Sequence, residues 1–171
     1  MDKLNPFLIA RHGPRPNMIH ELIPGGEQDV IELGEAVKSL LGSYASLCLC
    51  YGDTEHGSYG AISQTAEILG EQLGIKPERK EYFCVQEDEI WNDIPQDRLE
   101  GMTKEFEELQ AKGPVMCITN DRIIKGLAPY IDKKYGFDVG LQVKFVNFAS
   151  GFMFKFDPKK ILYLPKGFEI E

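Results

Sequence analysis

The sequence has no long hydrophobic run: nowhere do roughly 18 apolar residues follow one another, so no membrane span is expected. Its first residues, Met1-Asp2-Lys3-Leu4-Asn5-Pro6, carry no apolar segment closed by small residues. A secretory signal is therefore not expected, and a cytoplasmic location is the default expectation. Positive charge is scarce too. Against 27 acidic residues stand 19 basic ones, and the net charge of −8 argues against a broad nucleic-acid surface. A small anion is a different matter, because a site answers to local charge. Arg11 and Arg15 form a basic island in this acidic chain. Neither G-x-G-x-x-G nor G-x-x-x-x-G-K-S/T occurs, so the usual nucleotide-binding loops are missing. C-x-x-C is missing as well. Cys48, Cys50, Cys84 and Cys117 sit in apolar, strand-like runs and read as free core cysteines, not as a metal site or a disulfide framework. No metal and no cofactor are expected.

What is present is an alternation of short apolar runs with amphipathic stretches. Phe7-Leu8-Ile9-Ala10 reads as a buried strand, and Gly26–Leu41 as a helix with Val30, Leu33, Val37, Leu40 and Leu41 at helical spacing. Ser46–Tyr51 reads as the next strand, and Ala61–Leu73 as the next helix. Glu81–Val85 is a weaker strand candidate, followed by a mixed-charge helix over Asp97–Lys112. The apolar run Pro114–Thr119 feeds a helix over Asp121–Lys134, which Pro129 is expected to kink or interrupt. Leu141–Leu164 holds three β-rich stretches. With 171 residues and no linker or repeat, one domain over 1–171 is expected. The alternation predicts a three-layer α/β/α sandwich on a mostly parallel sheet. Ligands of such sheets bind beyond the carboxyl ends of the strands, which singles out residues 11–16, 52–60 and 119–122.

The first of these places carries the most informative motif. Ile9-Ala10-Arg11-His12-Gly13-Pro14-Arg15-Pro16 follows the first strand and resembles the R-H-G signature of the histidine phosphatase superfamily. That group contains the cofactor-dependent phosphoglycerate mutases and the acid phosphatases. Arg15 and Pro16 approach its longer R-H-G-x-R-x-P form, with the proline one position early. Leu22-Ile23-Pro24-Gly25-Gly26 looks like the family's L-T-x-x-G turn into its first helix. Gln64-Thr65-Ala66-Glu67-Ile68-Leu69 matches its Q-T-A-x-x-L helix, and Val146-Asn147-Phe148-Ala149-Ser150 resembles its p-N-x-S segment. The segments run in the family's order along nearly the whole chain.

The resemblance implies a phosphoglycerate mutase-like fold and hydrolysis of a phosphate monoester through a phosphohistidine at His12. Histidine suits this role because its neutral ring is a good nucleophile near physiological pH. Arg11 and Arg15 would clamp phosphoryl oxygens with forked donors, and Gly13 would let the backbone approach the ligand. The expected partner is phosphate or a small phosphorylated substrate.

Two positions depart from the pattern. The family's second histidine falls on Asn120, which can donate a hydrogen bond but carries no charge. The arginine before the Q-T-A helix falls on Ala61. His56 and Arg122 are candidates to compensate. Asp121 matches the family's proton donor, though it reads equally as a helix N-cap or a first-turn acid. Glu87 and Glu89 are rival donors, with an acidic surface loop pinned by Trp91 as the plainer reading. The alternative to an enzyme is a catalytically degenerate member that binds a phosphorylated ligand or a protein partner.

Overall fold

The computed structural model describes residues 4–14, 22–42, 46–53, 60–90 and 92–171, with the side chains of Glu87 and Ile90 outside the description. Seven strands form one sheet: β1 (Phe7–Arg11), β2 (Cys48–Tyr51), β3 (Glu78–Arg79), β4 (Val115–Thr119), β5 (Gly151–Phe156), β6 (Lys159–Leu164) and β7 (Phe168–Ile170). Among the described residues four α-helices accompany them: α1 (Gly26–Leu41), α2 (Gly60–Leu73), α3 (Gln96–Gln110) and α4 (Asp121–Tyr135). The spatial order is β3-β2-β4-β1-β5-β6-β7.

Strand β1 is apolar on both faces because both are covered. Phe7 and Ile9 enter a core with residues of α3 and α4, including Phe106, Ile124 and Leu127. Leu8 and Ala10 enter a second core with residues of α1 and α2, including Val30, Leu33, Ala66 and Leu69. The period of two along the strand thus divides the helices into two layers, as a buried strand between helical faces requires. None of the described helices is long and apolar enough to cross a membrane.

The sheet is mixed. Strands β3, β2, β4 and β1 pair in parallel, whereas β1–β5, β5–β6 and β6–β7 pair antiparallel. No crossover helix follows α4 in the described chain, so the C-terminal strands return by turns, and turns make antiparallel pairs. Three local readings also change. Glu81–Phe83 is a turn of 3-10 helix, and the short strand lies just before it at Glu78–Arg79. Of the three β-rich stretches expected in 141–164, two are strands, and the third strand lies beyond, at Phe168–Ile170. Helix α4 runs through Pro129 to Tyr135, carried by a buried stripe of Ile123, Ile124, Leu127, Ala128 and Ile131 on both sides of the proline.

All four cysteines are free; Cys50, Cys84 and Cys117 are buried and Cys48 is half-buried. Burial pushes the Cys48 and Cys84 thiols up to about 11, and lifts Cys117 as well, so none of these three is a ready thiolate at neutral pH.

Strand β5 approaches β1 closely only because it opens with Gly151. A Cβ there would lie 2.1 Å from the Ile9 carbonyl oxygen and 2.5 Å from the Ala10 Cα. Gly151→Ala should therefore cost about 1–3 kcal/mol, as overpacking of a filled core does. Thermal unfolding should show it as a fall of roughly 3–10 °C in Tm; an unchanged Tm would mean that β5 shifts freely against β1.

Candidate active site around His12

The carboxyl end of β1 is held from three directions. On one side the His12 N–H donates to the Thr119 carbonyl at 3.2 Å, continuing the parallel pairing with β4. On the other side the Arg11 N–H donates to Ser150 O at 2.8 Å, and the Ala149 N–H donates to His12 O at 2.9 Å. From the helical layer, Thr65 of α2 accepts the Gly13 N–H at 2.9 Å and in turn donates to the Ala61 carbonyl. Its neighbour Gln64 accepts the Leu22 N–H at 2.9 Å. The Q-T segment is thus a pair of side-chain acceptors that tie both ends of the stretch after β1 to α2. The resemblance marked these residues, but their work was not legible from periodicity.

Gly13 has a packing reason for its missing side chain. A Cβ there would sit 2.8 Å from both Leu22 Cδ2 and Val30 Cγ2, in the entry to α1. Its amide is committed to Thr65, so the glycine serves the wall of the site here and does not offer its N–H to an anion.

His12 is 3% exposed. Its Nδ1 lies 2.7 Å from the Gly13 carbonyl oxygen. A carbonyl can only accept, so Nδ1 carries the hydrogen and, in the neutral ring, Nε2 carries the lone pair. Arg11 donates from Nη1 to the Val146 carbonyl at 2.7 Å, and its guanidinium carbon stands 3.9 Å from the centre of the Phe148 ring. The same ring packs against the His12 imidazole, with centroids 5.5 Å apart. Val146, Phe148 and Ser150 therefore belong to the surroundings of the site. Only the p-N-x-S resemblance pointed to their segment, and it did not indicate the aromatic contact.

Asn120 and Asp121 lie at the carboxyl end of β4, the neighbour of β1. Asn120 is the N-cap of α4: its Oδ1 accepts the Ile123 N–H at 3.0 Å, which leaves the NH2 as the group with hydrogens for an anion. The capping role that Asp121 could have filled is thus taken by its predecessor. Asp121 occupies the first turn and pairs with Lys125 at 2.9 Å. Burial alone would raise its pKa. The hydrogen bond from Lys125 and the charges of Arg11, Lys125 and Arg122 outweigh that and hold the carboxyl below its ordinary 3.8. Arg122 is exposed and close enough to act on Asp121 through its charge.

Ala61 is buried and brings no polar group to the start of α2. Arg15 and His56 lie outside the described residues, as do Trp91 and the Glu87 side chain. Glu89 is not part of a surface loop: it is 1% exposed and bound through both carboxylate oxygens to Arg98, at 2.7 and 3.3 Å. It also accepts the Gln86 N–H at 3.0 Å. These bonds commit it to bracing the segment before α3.

Two outcomes follow. Thr65→Val keeps the shape of the side chain and leaves the buried Gly13 N–H without its acceptor. It should cost about 1–3 kcal/mol in urea unfolding, whereas no loss would mean that α2 does not hold the site. For Asp121, the folded carboxyl titrates below 3.8 and the unfolded one at that value, so near pH 3.8 the unfolded chain binds more protons. Its contribution to stability is complete at neutral pH and fades as pH falls through the folded value. Lys125→Met should move the Asp121 midpoint up in an NMR titration; an unmoved midpoint would remove Lys125 as a cause.

Neither family models nor curated proteins give a match to this sequence. Solved structures do. The chain is similar to YhfR of Bacillus stearothermophilus at 16% identity and a TM-score of 0.59, over 88% of this chain and 91% of that one. It is similar to a mycobacterial glucosyl-3-phosphoglycerate phosphatase bound to inorganic phosphate, at 16% identity and a TM-score of 0.58, over 93% and 95% of the two chains. A putative alpha-ribazole-5'-P phosphatase from Escherichia coli aligns at 14% identity and a TM-score of 0.58, over 97% and 93%. The chain thus shares the phosphoglycerate mutase-like α/β fold of these proteins.

Proposed function

We propose that the chain is a phosphate-monoester hydrolase of the histidine phosphatase type, acting through His12. The observation that carries this reading is the fixed imidazole. Nδ1 is bonded to the Gly13 carbonyl at 2.7 Å, which directs the lone pair to Nε2, and the Arg11 guanidinium lies in the same cluster around Phe148. The proteins of like fold include phosphatases, one of them holding inorganic phosphate.

In this reading, His12 Nε2 attacks phosphorus, the P–O bond to the alcohol breaks, and water then cleaves the phosphohistidine to release phosphate. Arg11 and Arg15 bind phosphoryl oxygens as forked cations, and the Asn120 NH2 adds a neutral donor. Arg122 and His56 are proposed to supplement them. Asp121 is the family's candidate acid, but its carboxyl lies below the ordinary range, so it enters the cycle as a carboxylate. The leaving oxygen departs as an anion and takes its proton from water, and Asp121 takes a proton from the water that then attacks the phosphohistidine. Esters of weakly basic alcohols should therefore react best.

Ala61 and Asn120 stand where the family has an arginine and a histidine. One lost donor at a charged transition state costs about 3–4 kcal/mol, so two unreplaced losses would slow turnover by several orders of magnitude. These two residues favour a second reading, a degenerate member that binds a phosphorylated ligand or a protein partner without turning it over.

An aryl phosphate tests both readings. The enzyme reading predicts release of the aryl alcohol, abolished by His12→Ala, with alkyl phosphates slower; no turnover on any of a panel of esters would overturn it. The second reading predicts no turnover but a rise in Tm with phosphate or sulfate. Absence of that rise would count against both.

A further inference from the structure

The segment Phe145–Ser150 does more than close the sheet. It touches the R-H-G stretch repeatedly: Val146 O accepts from the Arg11 side chain, Ser150 O from the Arg11 backbone, Ala149 N donates to His12 O, and the Phe148 ring contacts both side chains. Ala149 adopts φ +47°, a left-handed conformation that an L side chain rarely takes. It is nonetheless buried and bonded to His12, in a segment anchored by Gly151 on the backbone of β1. Strain of this kind persists only where the surroundings over-determine it, and it collects at functional sites.

Two phenylalanines of this segment lie near the Arg11 guanidinium, and they differ in kind. Phe145 is 65% exposed and its ring centre is 5.8 Å from the guanidinium carbon. Phe148 is half-buried, at 3.9 Å from the same carbon, and it alone of the two packs on His12 as well. A guanidinium stacked on an aromatic face keeps its N–H groups in the plane of the fork, directed sideways, while the ring excludes water from one face. Leucine would fill the space but has no π-face to hold the cation.

We propose that Phe148 is a positioning residue of the site, which sets the direction of the Arg11 guanidinium and the tilt of the His12 ring, and through that tilt keeps Nδ1 on the Gly13 carbonyl that selects its tautomer. The part of the claim that concerns phosphate rests on the function proposed above. The part that concerns the two side chains does not, and the test separates them.

The test compares Phe148→Leu, Phe148→Tyr and Phe145→Leu in the full chain. It reads His12 by its imidazole 15N shifts and inorganic phosphate by titration. In Phe148→Leu the Nδ1-protonated form should give way to a mixture of tautomers, and phosphate affinity should fall about tenfold, the factor that about 1.4 kcal/mol of cation–π contact represents. Phe148→Tyr, which retains the ring face, should restore both, and Phe145→Leu should alter neither. If Phe148→Leu does not fold, Phe148→Met supplies a side chain of similar volume for the same comparison.

Native tautomer and native affinity in the Leu or Met variant would overturn the proposal, and so would an equal effect of Phe145→Leu. If the native chain binds no phosphate while the tautomer still changes in Phe148→Leu, the proposed function falls and the positioning role stands.

Discussion

The hydrogen bond between His12 Nδ1 and the Gly13 carbonyl is the contact on which the proposed chemistry of this chain depends. It selects one tautomer of one ring and so decides which nitrogen would serve as the nucleophile of the proposed reaction. The bond exists only because the backbone around it cannot turn away. Thr119 and Ser150 hold the ends of the neighbouring strands against residues 11 and 12, and Thr65 holds the Gly13 amide. Those anchors depend in turn on β1 lying inside the sheet, with a parallel neighbour on one side and an antiparallel one on the other. The mixed sheet is therefore not incidental to the site: β5 brings the aromatic segment to His12, and β4 brings the start of α4.

The two sides of the site are unequally equipped. Arg11, His12 and Phe148 form a close cluster, whereas the start of α2 presents Ala61 and the start of α4 presents an asparagine whose oxygen is already used as a helix cap. Positive charge near α4 comes from Lys125 and Arg122, and Asp121 offsets part of it. Among the described residues, a doubly charged phosphoryl group entering here would meet the Arg11 guanidinium and neutral donors.

Much of this was legible in the sequence. The alternation of apolar runs with amphipathic stretches gave the helices and the inner strands, since burial on both faces leaves an unbroken apolar run such as Phe7–Ala10. The motif located His12 and Arg11 at the end of β1. What the sequence could not show was set by contacts between residues far apart. The antiparallel return of β5 to β1 depends on Gly151, whose role appears only against the Ile9 backbone. Glu89 read as solvated because its partner Arg98 is nine residues away and invisible to local pattern. Gly13 read as a place for a ligand, whereas Leu22 and Val30 occupy the space its side chain would need. Phe148 carried no signal of its own, because an aromatic residue in a β-rich stretch reads as core.

In the proposed reaction a phosphoryl group is received by His12 Nε2 beside Arg11. A crystal structure of the native chain grown with vanadate tests it most directly. Vanadium should be bonded to His12 Nε2, with its oxygens turned to the Arg11 guanidinium and the Asn120 NH2. Vanadate bound elsewhere, or a His12 ring left without it at saturating concentration, would contradict the role of His12.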